Sequence, residues 1–260
     1  MRLPRGRPAA LVVGVYPSAF HVAWSPPNEF DVRDAHKRNR PLIASLAVDV
    51  EPTVFWDGVD PSPSDLLGRW REAVGFDPAR HGSVRPGHNG PSGSGLLDEI
   101  LTPLGLDPAT LAFTDAVPWF FVKHGANSQG EAIANRFTPV ADRMGVERGS
   151  LPRRPSTRAL VELASSSARR DSLRAELLSS EADLLLTLGD EARGAVLGIA
   201  DDTRGLPQRI VRDGYGQIGT IQLNGKTMEV MPLAHPGFIR QRGDQRWTDT
   251  LEAWKASCRL

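Results

Sequence analysis

Cysteine is almost missing from this sequence: one, Cys258, stands near the end of 260 residues. That excludes an intrachain disulfide, a cysteine-rich zinc site and a four-cysteine iron–sulfur cluster. Long apolar runs are missing too, and nothing approaches the roughly 20 residues of a membrane-spanning helix. The start, Met1-Arg2-Leu3-Pro4-Arg5-Gly6-Arg7, is basic, and apolar residues follow from Ala9. Gly14 and Pro17 break that stretch too early for a secretory signal. It reads as a strand, and a cytoplasmic protein is expected. Net charge is absent: 31 Lys and Arg balance 31 Asp and Glu. A globally basic nucleic-acid binder is thereby excluded, whereas a local basic face is not. Lysine is scarce. Lys37, Lys123, Lys226 and Lys255 are the whole set, leaving 27 arginines, a bias that GC-rich coding and phosphate recognition both produce.

What is present is strand and helix in alternation. Ala9 to Tyr16 is a continuous β-branched run that predicts a buried central strand, and Leu42 to Val50 predicts a second. Residues 25 to 41, broken by Pro26, Pro27 and Pro41, read as a surface loop. Residues 57 to 95 are rich in Pro, Gly and Ser around one short helix near Ser64 to Ala73. A stretch that long and irregular suits a functional loop. A helix starts within Gly95 to Leu104, a third strand covers Leu111 to Val122, and helical spacing returns over Glu131 to Met144. Arg153-Arg154-Pro155 reads as a linker before a helix that Ser156 caps, and Asp171 to Leu178 continues helically. Ala182 to Leu188 predicts a fourth buried strand and Asp190 to Ile199 a helix. Asn224-Gly225 marks a hairpin turn between Ile218–Leu223 and Thr227–Met231. A last amphipathic helix from Asp244 to Ser257 puts Leu251 and Trp254 on one face. The pattern predicts a single α/β domain over residues 1–260: three α/β/α layers about a mainly parallel sheet.

Ligands of such sheets bind at the carboxyl ends of the strands. Those ends read Gly14-Val15-Tyr16-Pro17-Ser18, Asp49-Val50-Glu51-Pro52, Thr114-Asp115-Ala116-Val117-Pro118-Trp119, Leu188-Gly189-Asp190 and Ala234-His235-Pro236-Gly237. Each carries a Gly or Pro, or both, beside a polar group. The order Gly-x-x-Pro, then Leu-Gly, then His-Pro-Gly resembles the uracil-DNA glycosylase superfamily. Ser45 to Val50 resembles its second strand, Asn89-Gly90-Pro91-Ser92-Gly93 its phosphate-contacting loop, and Thr114-Asp115-Ala116-Val117 the strand bearing its base-reading asparagine. The resemblance runs from about residue 9 to residue 257.

The resemblance implies roles. His235 would donate to the carbonyl oxygen of the departing base, where glycosidic cleavage builds negative charge. The usual first-motif acid is missing, since Val15 and Tyr16 hold its place. Glu51 or Asp49 is the replacement for positioning water, with Glu51 favoured, and solvated loop carboxylates are the plainer reading of both. Tyr16, Val48 and Asp115 belong to the base pocket. An ionised Asp115 only accepts hydrogen bonds, so it matches an exocyclic amino group and repels a carbonyl unless protonated. That points to an amino-bearing or modified base, the alternative being an Asp that anchors backbone amides. A flipped base also needs a phosphate clamp and a wedge. Ser18, Asn89, Ser92 and Gly189 suit the clamp, Phe238 and Ile239 the wedge, and Arg240 and Arg242 phosphate neutralisation. Phe55, Trp56 and Trp119 are candidates for stacking on a base, and His21 for lining the mouth. The expected partner is DNA, single- or double-stranded, bound by a monomer.

Three functions are compatible with these residues. The first is a monofunctional DNA glycosylase that hydrolyses an N-glycosidic bond with water and no metal or organic cofactor, which the His235 strand end favours. The second is a non-catalytic nucleic-acid or nucleobase binder on the same fold, favoured by the missing first-motif acid. The third is another hydrolase or transferase acting on a nucleotide-like small molecule, favoured by zero net charge. A P-loop reading of Asn89 to Gly95 fails because no lysine follows the glycines.

Overall fold

The computed structural model describes residues 1–27, 44–52, 54–56, 62–86, 91–125, 128–147, 152–207, 210, 214–239 and 245–258, with the backbone alone at 44–50 and 91. The described strands are β1 (Leu11–Gly14), β2 (Ala19–Ser25), β3 (Ala44–Val50), β4 (Ser83–Pro86), β5 (Ala112–Asp115), β6 (Leu184–Leu188), β7 (Asp202–Arg204), β8 (Gly219–Leu223) and β9 (Lys226–Leu233). Six of them form one sheet in the order β5-β1-β6-β9-β8-β7. β5, β1, β6 and β9 run parallel, and the β8–β9 hairpin adds antiparallel strands at one side. The hairpin turns at Asn224 and Gly225, with φ of 50° and 79°, the left-handed pair that matches strand twist.

Side chains of the parallel strands alternate between two cores, as the two-residue period of a strand requires. Leu11, Val13, Ala112, Leu185 and Val230 pack against the helices Thr157–Ala164, Ser167–Ser179 and Asp190–Ile199. Val12, Phe113, Leu186 and Met231 face Ile100, Leu101 and the helix Gln245–Ser257 through Trp247, Leu251 and Trp254. This is the three-layer arrangement expected from the sequence. Ser156 caps its helix as expected, accepting from the Ala159 amide at 3.2 Å. The helix over Glu131 to Met144 is present but widens into a π turn at Ile133–Phe137. Pro139, just beyond, has no N–H to donate back into that turn.

Two strand expectations need correction. The segment ending in Val50 does not join the parallel sheet. β3 pairs antiparallel with β2, which pairs antiparallel with β4, in a separate three-stranded sheet. β2 follows β1 after only four residues, too few for a parallel crossover, so the chain turns into a new sheet. Phe20, Val22 and Trp24 then alternate into a third core with Leu66, Trp70, Phe76, Val140 and Met144. The third predicted strand is also shorter than Leu111 to Val122. The Ala116 and Val117 amides still bond to Gly14 and Val15, both at 2.9 Å, but Pro118 has no donor with which to continue. Among the described residues, no helix is long and apolar enough to cross a membrane.

Candidate active site

The four parallel strands end level. Gly14 lies beside Asp115, Val13 beside Thr187, and Leu188 beside Leu233. Their carboxyl edge collects two groups of side chains.

The first group is acidic. Asp115 is 6% exposed, and its Oδ2 is buried without a hydrogen-bond partner. Its side chain fits because position 14 is glycine: a Cβ there would stand 2.1 Å from Asp115 Oδ1. The backbone of this strand end is fixed separately. The buried Arg169 donates to the Asp115 carbonyl and, at 3.0 Å, to the Ala116 carbonyl, and it pairs with Glu176. Burial, helped by the nearby Glu51 and only partly offset by Arg169, pushes the Asp115 carboxyl up to about 8. At neutral pH it carries a proton. Of the two states the sequence left open, ionised or protonated, burial favours the protonated one, because a carboxylate largely removed from water cannot keep its charge cheaply.

Glu51 follows β3 and reaches back to the turn between β1 and β2. It accepts from the amides of Ser18 at 2.9 Å and Trp56 at 3.3 Å, and from that of Phe55. Its own N–H donates to the Ser18 carbonyl at 3.0 Å. Burial nevertheless outweighs these donors and raises its pKa. The turn that gathers them puts Phe55 at φ 54°, a region bulky side chains rarely enter. Phe55 is not free to stack on a base, since its ring lies on Phe113 at 4.5 Å and 10°. Trp56 is buried edge-on to Phe20. Of the three aromatic candidates, Trp119 is the exposed one, at 50%.

The second group is mostly cationic. His235 follows β9, and its Nδ1 accepts from the Gly237 amide at 3.1 Å. A neutral imidazole bound this way carries its proton on Nε2. Burial, with the charges of Lys123 and Arg154, pushes its pKa down to about 4, so it is neutral at physiological pH. Gly189, at φ 96°, begins the helix Asp190–Ile199. A side chain there would be strained, and its Cβ would sit 3.4 Å from the His235 Cβ and 3.5 Å from Glu191 Oε2. Glu191 pairs with Arg154 at 2.5 Å and accepts from the Thr157 hydroxyl at 2.9 Å. These partners hold its pKa low against the effect of burial, which is the largest single influence. Arg154 also hydrogen-bonds Tyr16, whose ring meets Phe121 edge-on at 5.6 Å. Burial raises the Tyr16 pKa, so its hydroxyl stays neutral.

The remaining expectations fall unevenly on the structure. Ser92 lies in the helix Pro91–Leu96, with its Oγ near Gly237, where Gly95 lets that helix approach Pro236 closely. Phe238 is 38% exposed and touches Trp247, while Ile239 is buried in the core. Of the pair, Phe238 is the side chain that faces outward. Val48 and Asp49 lie on β3, where the backbone alone is described, with Asp49 opposite Phe20. Asn89, Arg240 and Arg242 lie outside the described residues. His21 is half-buried on β2, away from the parallel sheet. Among the described residues, no three His, Cys, Asp or Glu side chains gather as metal ligands would.

Sequence reasoning missed Lys123, Arg154 and Glu191. In the sequence Arg154 reads as part of a linker and Glu191 as part of a helix start. The bridge that places them, Val122 beside Arg153, joins segments about thirty residues apart and leaves no periodic signal.

A family model described as the Uracil DNA glycosylase superfamily matches residues 73–256. A search of curated proteins found no match.

Proposed function

The chain belongs to the uracil DNA glycosylase superfamily, and from that premise we propose that it hydrolyses the N-glycosidic bond of a base flipped out of DNA. The observation that carries the reading is the state of His235. Its Nδ1 is tied to the Gly237 amide and its ring is neutral, so Nε2–H remains as a fixed donor at the strand edge. A donor oriented before the reaction stabilises the departing base anion without reorganising during bond cleavage. Glu51 supplies the carboxylate that β1 lacks. Held by the Ser18, Phe55 and Trp56 amides, it orients the attacking water and faces the positive charge that develops at C1′. No metal or organic cofactor enters this scheme.

Asp115 reads the base. In its protonated form it offers one donor and one acceptor, as an amide would, and so matches a carbonyl next to a ring N–H. Once ionised it matches an amino group instead. Ser18, Ser92 and Gly189 line the backbone path of the DNA, and Phe238 enters the vacated stack.

A non-catalytic binder is the second reading. It is favoured by Val15 and Tyr16 at the end of β1, where neither side chain is a base at neutral pH. Excision measured across normal, deaminated and modified bases, in single- and double-stranded oligonucleotides, separates the two. Release of any base supports the enzyme. Tight binding with no release across the whole panel supports the binder.

A further inference from the structure

Lysine is the rarest cation here, with four residues in the chain, and three of them lie among the described residues. Two of those three are engaged. Lys226 Nζ donates to the Ala182 carbonyl at 2.9 Å, and Lys255 Nζ pairs with Glu99 at 2.8 Å and Glu252 at 3.1 Å. Lys123 is different. Its ammonium makes no hydrogen bond among the described residues, and the residue is exposed. Its backbone is fixed on both sides: the Gly130 amide donates to its carbonyl at 2.8 Å, and the Arg154 amide donates to the Val122 carbonyl at 2.8 Å. The Val122–Arg153 bridge therefore sets Lys123 near Arg154, and the Lys123 charge reaches His235.

We propose that Lys123 is an amine nucleophile that captures the abasic sugar left by base excision, giving the site a second, strand-cleaving activity. This rests on the glycosylase reading, because it places C1′ next to the base that His235 holds. Partial desolvation and the Arg154 charge lower the Lys123 pKa against the opposing pull of Glu191, which raises the share of free amine. Hydrolysis leaves a hemiacetal at C1′ that opens to an aldehyde. The Lys123 Nζ lone pair adds to C1′, and the resulting carbinolamine loses water to form a protonated imine. The imine acidifies C2′–H. As water takes that proton, the C2′–H electrons form the C2′–C3′ double bond and the C3′–O bond breaks, expelling the 3′ phosphate. Water then hydrolyses the imine, returning the amine and an unsaturated aldehyde. No oxidant or reductant is consumed.

The test supplies the full chain with oligonucleotides that already contain an abasic site, so it does not depend on base excision. Borohydride is added to reduce any imine, and the adduct is mapped by peptide mass spectrometry. We expect a heat-stable protein–DNA adduct at Lys123, nicking without borohydride, and loss of both in Lys123→Ala and Lys123→Arg. Lys123→Arg keeps the charge, so retention of nicking or adduct in that variant overturns the proposal and makes Lys123 a phosphate contact. An adduct at the N-terminal amine or another lysine, or none in the wild type, also overturns it. Thermal unfolding of Lys123→Arg identical to the wild type shows that its loss is chemical. Absence of base release in the separate panel, with capture of abasic DNA intact, would instead count against the glycosylase reading alone.

Discussion

The two ends of the carboxyl edge differ in how their candidate reacting groups are held. At the β6–β9 end His235 and Glu191 are held by named donors: Arg154 and Thr157 donate to Glu191, and Gly237 donates to His235, although Arg154 Nε and the Thr187 hydroxyl are buried without a partner. At the β5–β1 end the Asp115 carboxyl is buried with an oxygen that nothing satisfies. An unsatisfied buried polar group costs about 1–3 kcal/mol, and native structures carry few of them. The contrast separates two tasks. A group that must act during bond cleavage is best fixed beforehand, whereas a group that recognises a ligand can wait for the ligand to complete its bonding. The absence of any described hydrogen bond to the Asp115 carboxyl also weighs against its serving as a backbone anchor, the role Arg169 fills through the carbonyls.

Glu51 breaks this simple division, because it stands at the acidic end but is fully bonded. Glu51→Gln keeps an acceptor for the Ser18 amide and removes the charge. If Glu51 orients water, excision should fall by about 10³-fold, within the range for a lost general base, with DNA affinity little changed. The pH profile checks the same point. Burial raises the Glu51 pKa, so the wild-type rate should climb with pH through a limb above the ordinary glutamate value, and that limb should vanish in the variant. A variant that loses rate and thermal stability together would mark Glu51 as a loop anchor.

The partnered end gives the next largest effect. His235→Ala should slow excision by about 10²-fold while leaving DNA binding near normal, the pattern of a donor used mainly in the transition state. Equal losses in rate and binding would assign His235 to the architecture of the Pro236–Ile239 turn. Protonation of His235 near pH 4 puts a hydrogen on Nδ1 and costs the bond from the Gly237 amide, so folded protein should resist it.

The two ends also differed in how far the sequence disclosed them. The strands of the parallel sheet announce themselves by short apolar runs, and Asp190 to Ile199 is a helix with the bounds its pattern predicts. His235 and Asp115 were legible because each directly follows or closes such a strand. Lys123, Arg154 and Glu191 were not, since their convergence depends on a two-residue bridge between distant loops. The three-stranded sheet was missed for a similar reason. Phe20, Val22 and Trp24 alternate as a half-buried strand should, but the first apolar run stops at Pro17 and the sequence leaves this short stretch unassigned, because its partners lie far along the chain. The protonation of Asp115 was beyond sequence altogether, because it comes from burial and from the nearness of Glu51 in three dimensions.

That protonation yields the smallest of these effects per unit of change and bears most directly on the contrast between the two ends. Asp115 has a pKa near 8 when folded, well above the ordinary carboxylate value it regains on unfolding. Between those values the folded chain holds a proton that the unfolded chain has released. The stability associated with Asp115 is therefore fully present at low pH and is lost as pH rises towards 8. The slope is about 1.4 kcal/mol for each pH unit in that window. Asp115→Asn carries no such proton, so its Tm relative to the wild type should be close at pH 4 and rise steadily towards pH 8. Activity should follow the same group. The wild-type preference for a carbonyl-bearing base should fade by about tenfold per pH unit above 8, while Asp115→Asn keeps it, because the amide retains its donor at any pH. Parallel stability curves for the two proteins would show that Asp115 is ionised throughout. The acidic end would then be an ordinary carboxylate pair, and the accept-only reading, with its preference for amino-bearing bases, would be restored.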